Sequence, residues 1–246
     1  MHNRGMLTGL VLVAAGAAGL YAAEVQLPPP FHSPSVNNAP RVIPKPAEGR
    51  LELPAGFRAE LWAEGFSRAR FMLQGPSGEI LLADSAPRGK GVVWALTDRD
   101  GDHKADAGRK QVITGLDRPY GLALWNGYLY VGEPGSVKRY RYDSKTMTAG
   151  EGEEVISLAG FERGHWTRSL LFDPAGKKLY VGIGSASNVS TGEDPRRAAI
   201  NRYNPDGSGH EIVASGTRNP IGLRFYPGTD VLWAAVQERD ALGDDL

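Results

Sequence analysis

Short apolar runs recur along this chain at a near-constant interval. Each unit is an apolar strand, a turn carrying Gly or Pro, and a second apolar strand. The first unit reads Phe71-Met72-Leu73, Pro76-Ser77-Gly78, then Ile80-Leu81-Leu82-Ala83. The second reads Leu122-Ala123-Leu124, Asn126-Gly127, then Tyr128-Leu129-Tyr130-Val131. The third reads Ser169-Leu170-Leu171-Phe172, Asp173-Pro174-Ala175-Gly176, then Leu179-Tyr180-Val181-Gly182, and the fourth Gly222-Leu223-Arg224-Phe225, Pro227-Gly228, then Val231-Leu232-Trp233. The first anchors are Met72, Leu122, Leu170 and Leu223, in steps of 50, 48 and 53 residues. Such a period of short β runs joined by hairpin turns predicts propeller blades, the alternative being an antiparallel sandwich with coincidental spacing. The turn residues agree, because Gly supplies positive φ and Pro pre-sets a negative one. After residue 50 no segment sustains an apolar period of 3.6 residues, so helix is expected to be scarce. Alternation at Phe57, Ala59, Leu61 and Ala63 predicts a further strand where the globular part begins, near Leu51.

Polar residues stand out where the apolar frame is fixed. Five positions before the anchor, the second, third and fourth units carry Asp117, His165 and Arg218. In a propeller the loop before the innermost strand of each blade lies at one mouth of the central channel, so these side chains converge near the axis. A His with an Arg and Asn219 beside it can serve as a general base with electrostatic partners. A hydrogen-bonded histidine in a blade turn fits the spacing equally well. A second cluster is Asp98, Asp100, Asp102 and Asp106 around Gly101, between apolar runs at 92–96 and 111–113. Alternating carboxylates can converge on Ca²⁺, which takes six to eight oxygens, although Arg109 stands where an EF-hand has its bidentate Glu. The other reading of the same residues is a solvated hairpin turn.

Composition narrows the classes. The 28 basic and 28 acidic residues balance with no basic stripe, which argues against nucleic acid as a partner. Cys is absent, so disulfides, thiolate catalysis, cysteine zinc sites and covalent c-type haem are excluded within these residues. His2 and Arg4 precede an apolar run from Leu7 to Ala23, the length of a signal-peptide core. Residues 1–23 are therefore expected to be a signal peptide or an uncleaved anchor, with the bulk of the chain periplasmic or extracellular and membrane attachment through the N-terminus as the alternative. Residues 24–50, with Pro28-Pro29-Pro30, Pro34, Pro40, Pro44 and Pro46, read as a stiff extended linker. Residues 51–246 are the propeller, with about four blades, and the chain reads as a fragment of a larger ring.

The stretch from His165 to Pro174, the run Leu179 to Asn188 and the segment Thr217-Arg218-Asn219-Pro220-Ile221-Gly222-Leu223 together resemble the glucose/sorbosone dehydrogenase family. The segment Gln237 to Asp245 is similar to its sorbosone-dehydrogenase branch. The resemblance implies an all-β, six-bladed β-propeller that uses pyrroloquinoline quinone (PQQ) and Ca²⁺ to oxidise a sugar or a sugar-derived alcohol or aldehyde. A respiratory carrier would then accept the electrons. It implies that His165 is the catalytic base, that Arg218 and Asn219 hold PQQ, and that Gln237 lies beside quinone and substrate. It also implies calcium ligation through the backbone carbonyls of Glu238 and Arg239. One departure is Gly164, where the glucose enzyme has an acid. Two other classes fit less well. A calcium-dependent propeller lactonase would use Asn188 and Asn219 around an axial metal. A non-enzymatic binding propeller would present Tyr120, Trp166 and Trp233.

Overall fold

The computed structural model describes residues 41, 43, 44 and 46–241. The N-terminal apolar run, most of the Pro-rich stretch and residues 242–246 lie outside the described residues. The described residues contain no helix, and their strands form successive antiparallel meanders. The first sheet is β1 (Ala69–Gln74), β2 (Ile80–Asp84), β3 (Gly91–Leu96) and β4 (Lys110–Leu116). The second is β5 (Leu122–Trp125), β6 (Tyr128–Glu133), β7 (Ser136–Asp143) and β8 (Thr148–Ser157). The third is β9 (Arg168–Phe172), β10 (Leu179–Ile183), β11 (Ala199–Tyr203) and β12 (Glu211–Ser215). The fourth has β13 (Pro220–Phe225) and β14 (Leu232–Val236). Among the described residues, then, three four-stranded blades and two strands of a fourth build a partial propeller.

Local chemistry sets the meanders. Trp125 pairs with Tyr128 across Asn126-Gly127, both at positive φ (48° and 75°). This is the turn whose twist matches two flanking strands, and Asn-Gly is the pair that tolerates it. β1, β5, β9 and β13 lead their sheets and pack side by side, β1 on β5, β5 on β9 and β9 on β13. The second strand of each complete blade is almost wholly buried, and Leu179–Ile183 is buried at every position. Strands covered on both faces read as continuous apolar runs, which is why they are legible in the sequence.

The cores lie between blades. Leu81, Val93 and Ile113 of the first sheet meet Leu122, Leu129 and Val131 of the second. Tyr130, Val137 and Ile156 meet Leu170, Leu179, Val181 and Ile183. Tyr180 and Ile200 meet Leu223, with Tyr180 edge-on to Phe225 at 5.4 Å. Each buried Leu or Ile contributes roughly 1.5–3 kcal/mol relative to exposure. A buried carboxylate ties the first two blades together, since Tyr142 donates its hydroxyl proton to Glu79 Oε1 at 2.7 Å.

One predicted strand is absent. Residues 57–63 form no strand, and Phe57 and Leu61 are 73% and 66% exposed. Alternation makes a strand only where a neighbour supplies the hydrogen-bond ladder, and no described strand pairs with this segment.

Candidate active site at the channel mouth

The loops before β9 and β13 meet at one end of the inner strands. An apolar cavity of about 570 Å³ runs along those strands, lined by Leu73, Leu124, Leu170, Phe172 and Leu223. His165, Arg218 and Asn219 stand outside that lining, in the loops.

His165 is half-buried and held on one side only. Its backbone N–H donates to the Ser185 carbonyl at 3.1 Å, and its ring Nδ1 lies 2.9 Å from the same oxygen. A carbonyl only accepts, so the proton of the neutral ring sits on Nδ1 and Nε2 carries the lone pair. The Ser185 hydroxyl, 3.0 Å from Nδ1, donates to the Ser187 carbonyl and so leaves that assignment intact. Among the described residues Nε2 has no hydrogen-bond partner. Ser185 also joins the two loops, because its N–H donates to the Arg218 carbonyl at 2.8 Å.

Two glycines shape the pocket around the histidine. A Cβ on Gly184 would stand 2.4 Å from His165 Cβ and 2.5 Å from Asn219 Oδ1, so only glycine lets those side chains approach each other. Gly164 has φ +78°, and a Cβ there would meet the Ala186 carbonyl oxygen at 2.2 Å. An acid in place of Gly164 would have no room in this backbone. The carbonyl of Ser185 orients the ring instead.

The sequence reading missed the residue that fixes this loop. Arg168, fully buried, gives its guanidinium to the carbonyls of Pro134, Phe161, His165 and Thr167 at 2.6–3.1 Å. It makes no ion pair with an acid among the described residues. Burial pulls its pKa down to about 9, with the charges of Arg197 and Arg118 acting in the same direction. Arg197 is similar. It is 8% exposed, donates to the carbonyls of Gly184 and Gly160 at 3.4 Å, and lies over Phe161. A charged residue heading an apolar strand, Arg168-Ser169-Leu170, was the available signal.

Arg218 is spent differently. Its Nε donates to Asn188 O, Nη1 to the carbonyls of Gln237 and Glu238, and Nη2 to Asn188 Oδ1 and Asp240 Oδ2. Five N–H groups meet five acceptors, so in this arrangement none is left for a ligand. Asn219, 4% exposed, touches Thr167 Oγ1 and Gln237 Oε1 at 3.4 Å each. Gln237 is thus brought beside Asn219. The Glu238 carbonyl faces a guanidinium, a position ill suited to a calcium ligand because the two cations would repel. The Asn188 amide is likewise committed, with Oδ1 accepting from Arg218 and the Asp240 N–H and Nδ2 donating to Asp240 O, so of the two asparagines in the lactonase reading this one has no free oxygen for a metal.

The acidic loop stands apart. Asp98, Asp100 and Asp102 bring one carboxylate oxygen each within 4.8 Å of one another. Those carboxylates also accept from the N–H groups of Gly101, Asp102 and Lys104, the pattern of a turn. Asp106 is not in the group. It accepts from Thr97 Oγ1 and the Arg99 N–H instead.

These features define a β-propeller with a histidine, an asparagine and several guanidinium groups at the channel mouth. Residues 51–245 match the model of the TrAA12-like family, and the chain belongs to that family. An uncharacterized protein from Borreliella burgdorferi is 24% identical over 209 residues, 80% of this chain and 52% of that protein. A calcium structure of a Trichoderma reesei enzyme of Carbohydrate-Active Enzymes Family AA12 superposes with TM-score 0.62 at 23% identity, over 73% of this chain and 48% of the other. The holo PQQ domain of pyranose dehydrogenase from Coprinopsis cinerea gives 0.62 at 20% identity, over 74% and 46%. The PQQ-bound aldose sugar dehydrogenase of Streptomyces coelicolor gives 0.52 at 18% identity, over 71% and 58%. At these identities the likeness is one of fold. The chain spans about half the length of these relatives.

Proposed function

We propose that this chain carries the base-bearing side of a PQQ-dependent sugar dehydrogenase acting on a sugar or sugar-derived alcohol or aldehyde. One observation carries the reading. In a TrAA12-like chain, His165 is held through Nδ1 by a carbonyl, so its Nε2 lone pair is free of partners among the described residues. The donor set suits an anionic quinone in part. His165 and Asn219 adjoin across Gly184, and buried, acid-free Arg168 and Arg197 lie beneath. Arg218 would join only by releasing an acceptor, and Asp240, whose side chain is 67% exposed, is the one freest to leave.

PQQ, when bound, supplies the hydride acceptor that no side chain provides. His165 Nε2 takes the substrate hydroxyl proton as the carbinol C–H hydride departs, leaving a carbonyl product. The Ser185 carbonyl stabilises the resulting imidazolium through Nδ1–H. Arg168 and Arg197 favour negative charge developing at the mouth, because buried charges act through a low dielectric. Calcium at Asp98, Asp100 and Asp102 is part of the same proposal, as are export through residues 1–23 and electron delivery to a respiratory carrier. Dye reduction with PQQ, Ca²⁺ and a panel of aldoses and sorbosone tests the reading. Reduction that needs PQQ supports it, and none with any substrate, together with no PQQ uptake, overturns it.

A further inference from the structure

The indole of Trp166, next to His165, has two guanidinium groups within reach of its ring, one from β1 and one from the loop before β5. The guanidinium carbon of Arg70 is 5.5 Å and that of Arg118 5.7 Å from the ring centroid. Tyr120, 9% exposed, braces the indole edge-on at 6.0 Å and is itself backed by Phe71 at 5.8 Å. The arrangement is built by the fold. Arg70 comes from β1, Arg118 from the loop before β5, and Trp166 from the loop before β9. Arg118 holds a left-handed backbone, φ 48°, which a long side chain rarely adopts.

The charges do not balance locally. Arg70 is exposed and makes no ion pair among the described residues. Among the described residues Arg118 ion-pairs with the adjacent Asp117 alone, at 3.3 Å, and one oxygen of that carboxylate also accepts from the Arg88 N–H. Arg168 and Arg197 add two buried cations with no ion pair to an acid among the described residues; exposed Glu162 acts on both from a distance, and Asp194, itself paired with Arg196, acts on Arg197. A positive field with an aromatic platform selects an anion carried on a flat or ring-shaped body. Guanidinium forks match a carboxylate in particular.

We propose that Arg70, Trp166 and Arg118 form a carboxylate-recognition subsite beside His165. Two sources supply that group: the quinone cofactor, which is a tricarboxylate, or a sugar acid as substrate. The cofactor source rests on the quinoprotein reading above; the sugar-acid source stands without it.

The test compares wild type with Arg70→Gln, Arg118→Gln and Trp166→Phe. PQQ uptake is measured by equilibrium dialysis, and D-galacturonate by calorimetric titration with D-galactose as the neutral control. Losing one charge-assisted contact should weaken the anionic probe about tenfold in each Arg variant, leave galactose unchanged, and diminish with added salt. Trp166→Phe keeps an aromatic face and both arginines, so it should cost less and controls for folding. Loss confined to PQQ assigns the subsite to the cofactor, and loss confined to galacturonate assigns it to the substrate. If wild type takes up no PQQ but the variants still lose galacturonate, the subsite stands and the quinoprotein reading falls. Variants that bind both probes as wild type does, or a wild type that binds neither, overturn the subsite.

Discussion

The loops before β9 and β13 occupy the same place in successive blades, yet they dispose of their polar groups in opposite ways. Before β9 the loop is fixed by Arg168, buried and bonded to four carbonyls, and this leaves His165 with a free Nε2. Before β13 the residue in the slot is itself the fastener. Arg218 uses every N–H to gather Asn188, Gln237, Glu238 and Asp240. The contrast teaches that a polar residue in a repeat slot is available for chemistry only when another residue holds its loop. The third blade has such a residue and the fourth does not.

Removing the third blade's fastener should have the largest effect. Arg168→Met strands carbonyls of Pro134, Phe161, His165 and Thr167 without donors and should cost about 3 kcal/mol or more, read as the shift of a denaturant midpoint. If stability is unchanged, the loop is held by something else and the comparison fails. Next in size is Gly164→Asp, which restores the acid of the glucose enzyme. Because φ is +78° and the Ala186 carbonyl stands where Cβ would go, it should destabilise by about 2–3 kcal/mol and give no gain in turnover. A gain in turnover with normal stability would show that the loop accommodates an acid.

The smallest change sharpens the fourth slot. Asp240→Asn breaks an ion pair whose acid is 67% exposed, so it should cost less than about 1 kcal/mol, and less still in high salt. If Arg218 meets the quinone by exchanging partners, the same variant binds PQQ more tightly in equilibrium dialysis. Weaker binding would mean that Asp240 belongs to the ligand site.

The second strands of the complete blades were legible because both faces of β2, β6 and β10 are covered, leaving uninterrupted apolar runs. Outer strands were not. β8 reads Thr-Ala-Gly-Glu-Gly-Glu-Glu-Val-Ile-Ser and is mostly exposed, so its strand character comes from the ladder with β7 rather than from its own side chains. Residues 57–63 fail in the opposite sense, alternating without a partner. In the site, the slot of His165 followed from the repeat; the meeting of Asp98, Asp100 and Asp102, away from it, followed from their alternation around Gly101. The saturation of Arg218 did not, because Asn188 and Asp240 lie 30 and 22 residues away and only the fold brings them together. Gly164 was visible as a departure, but its meaning required its φ.

The measurement that bears most directly on the account is His165→Ala against wild type, with PQQ uptake and PQQ-dependent dye reduction followed on the same preparations. Loss of a positioned general base predicts turnover lower by about 10²- to 10⁴-fold with PQQ affinity retained. Turnover within a few-fold of wild type would contradict the assignment of His165 as the base.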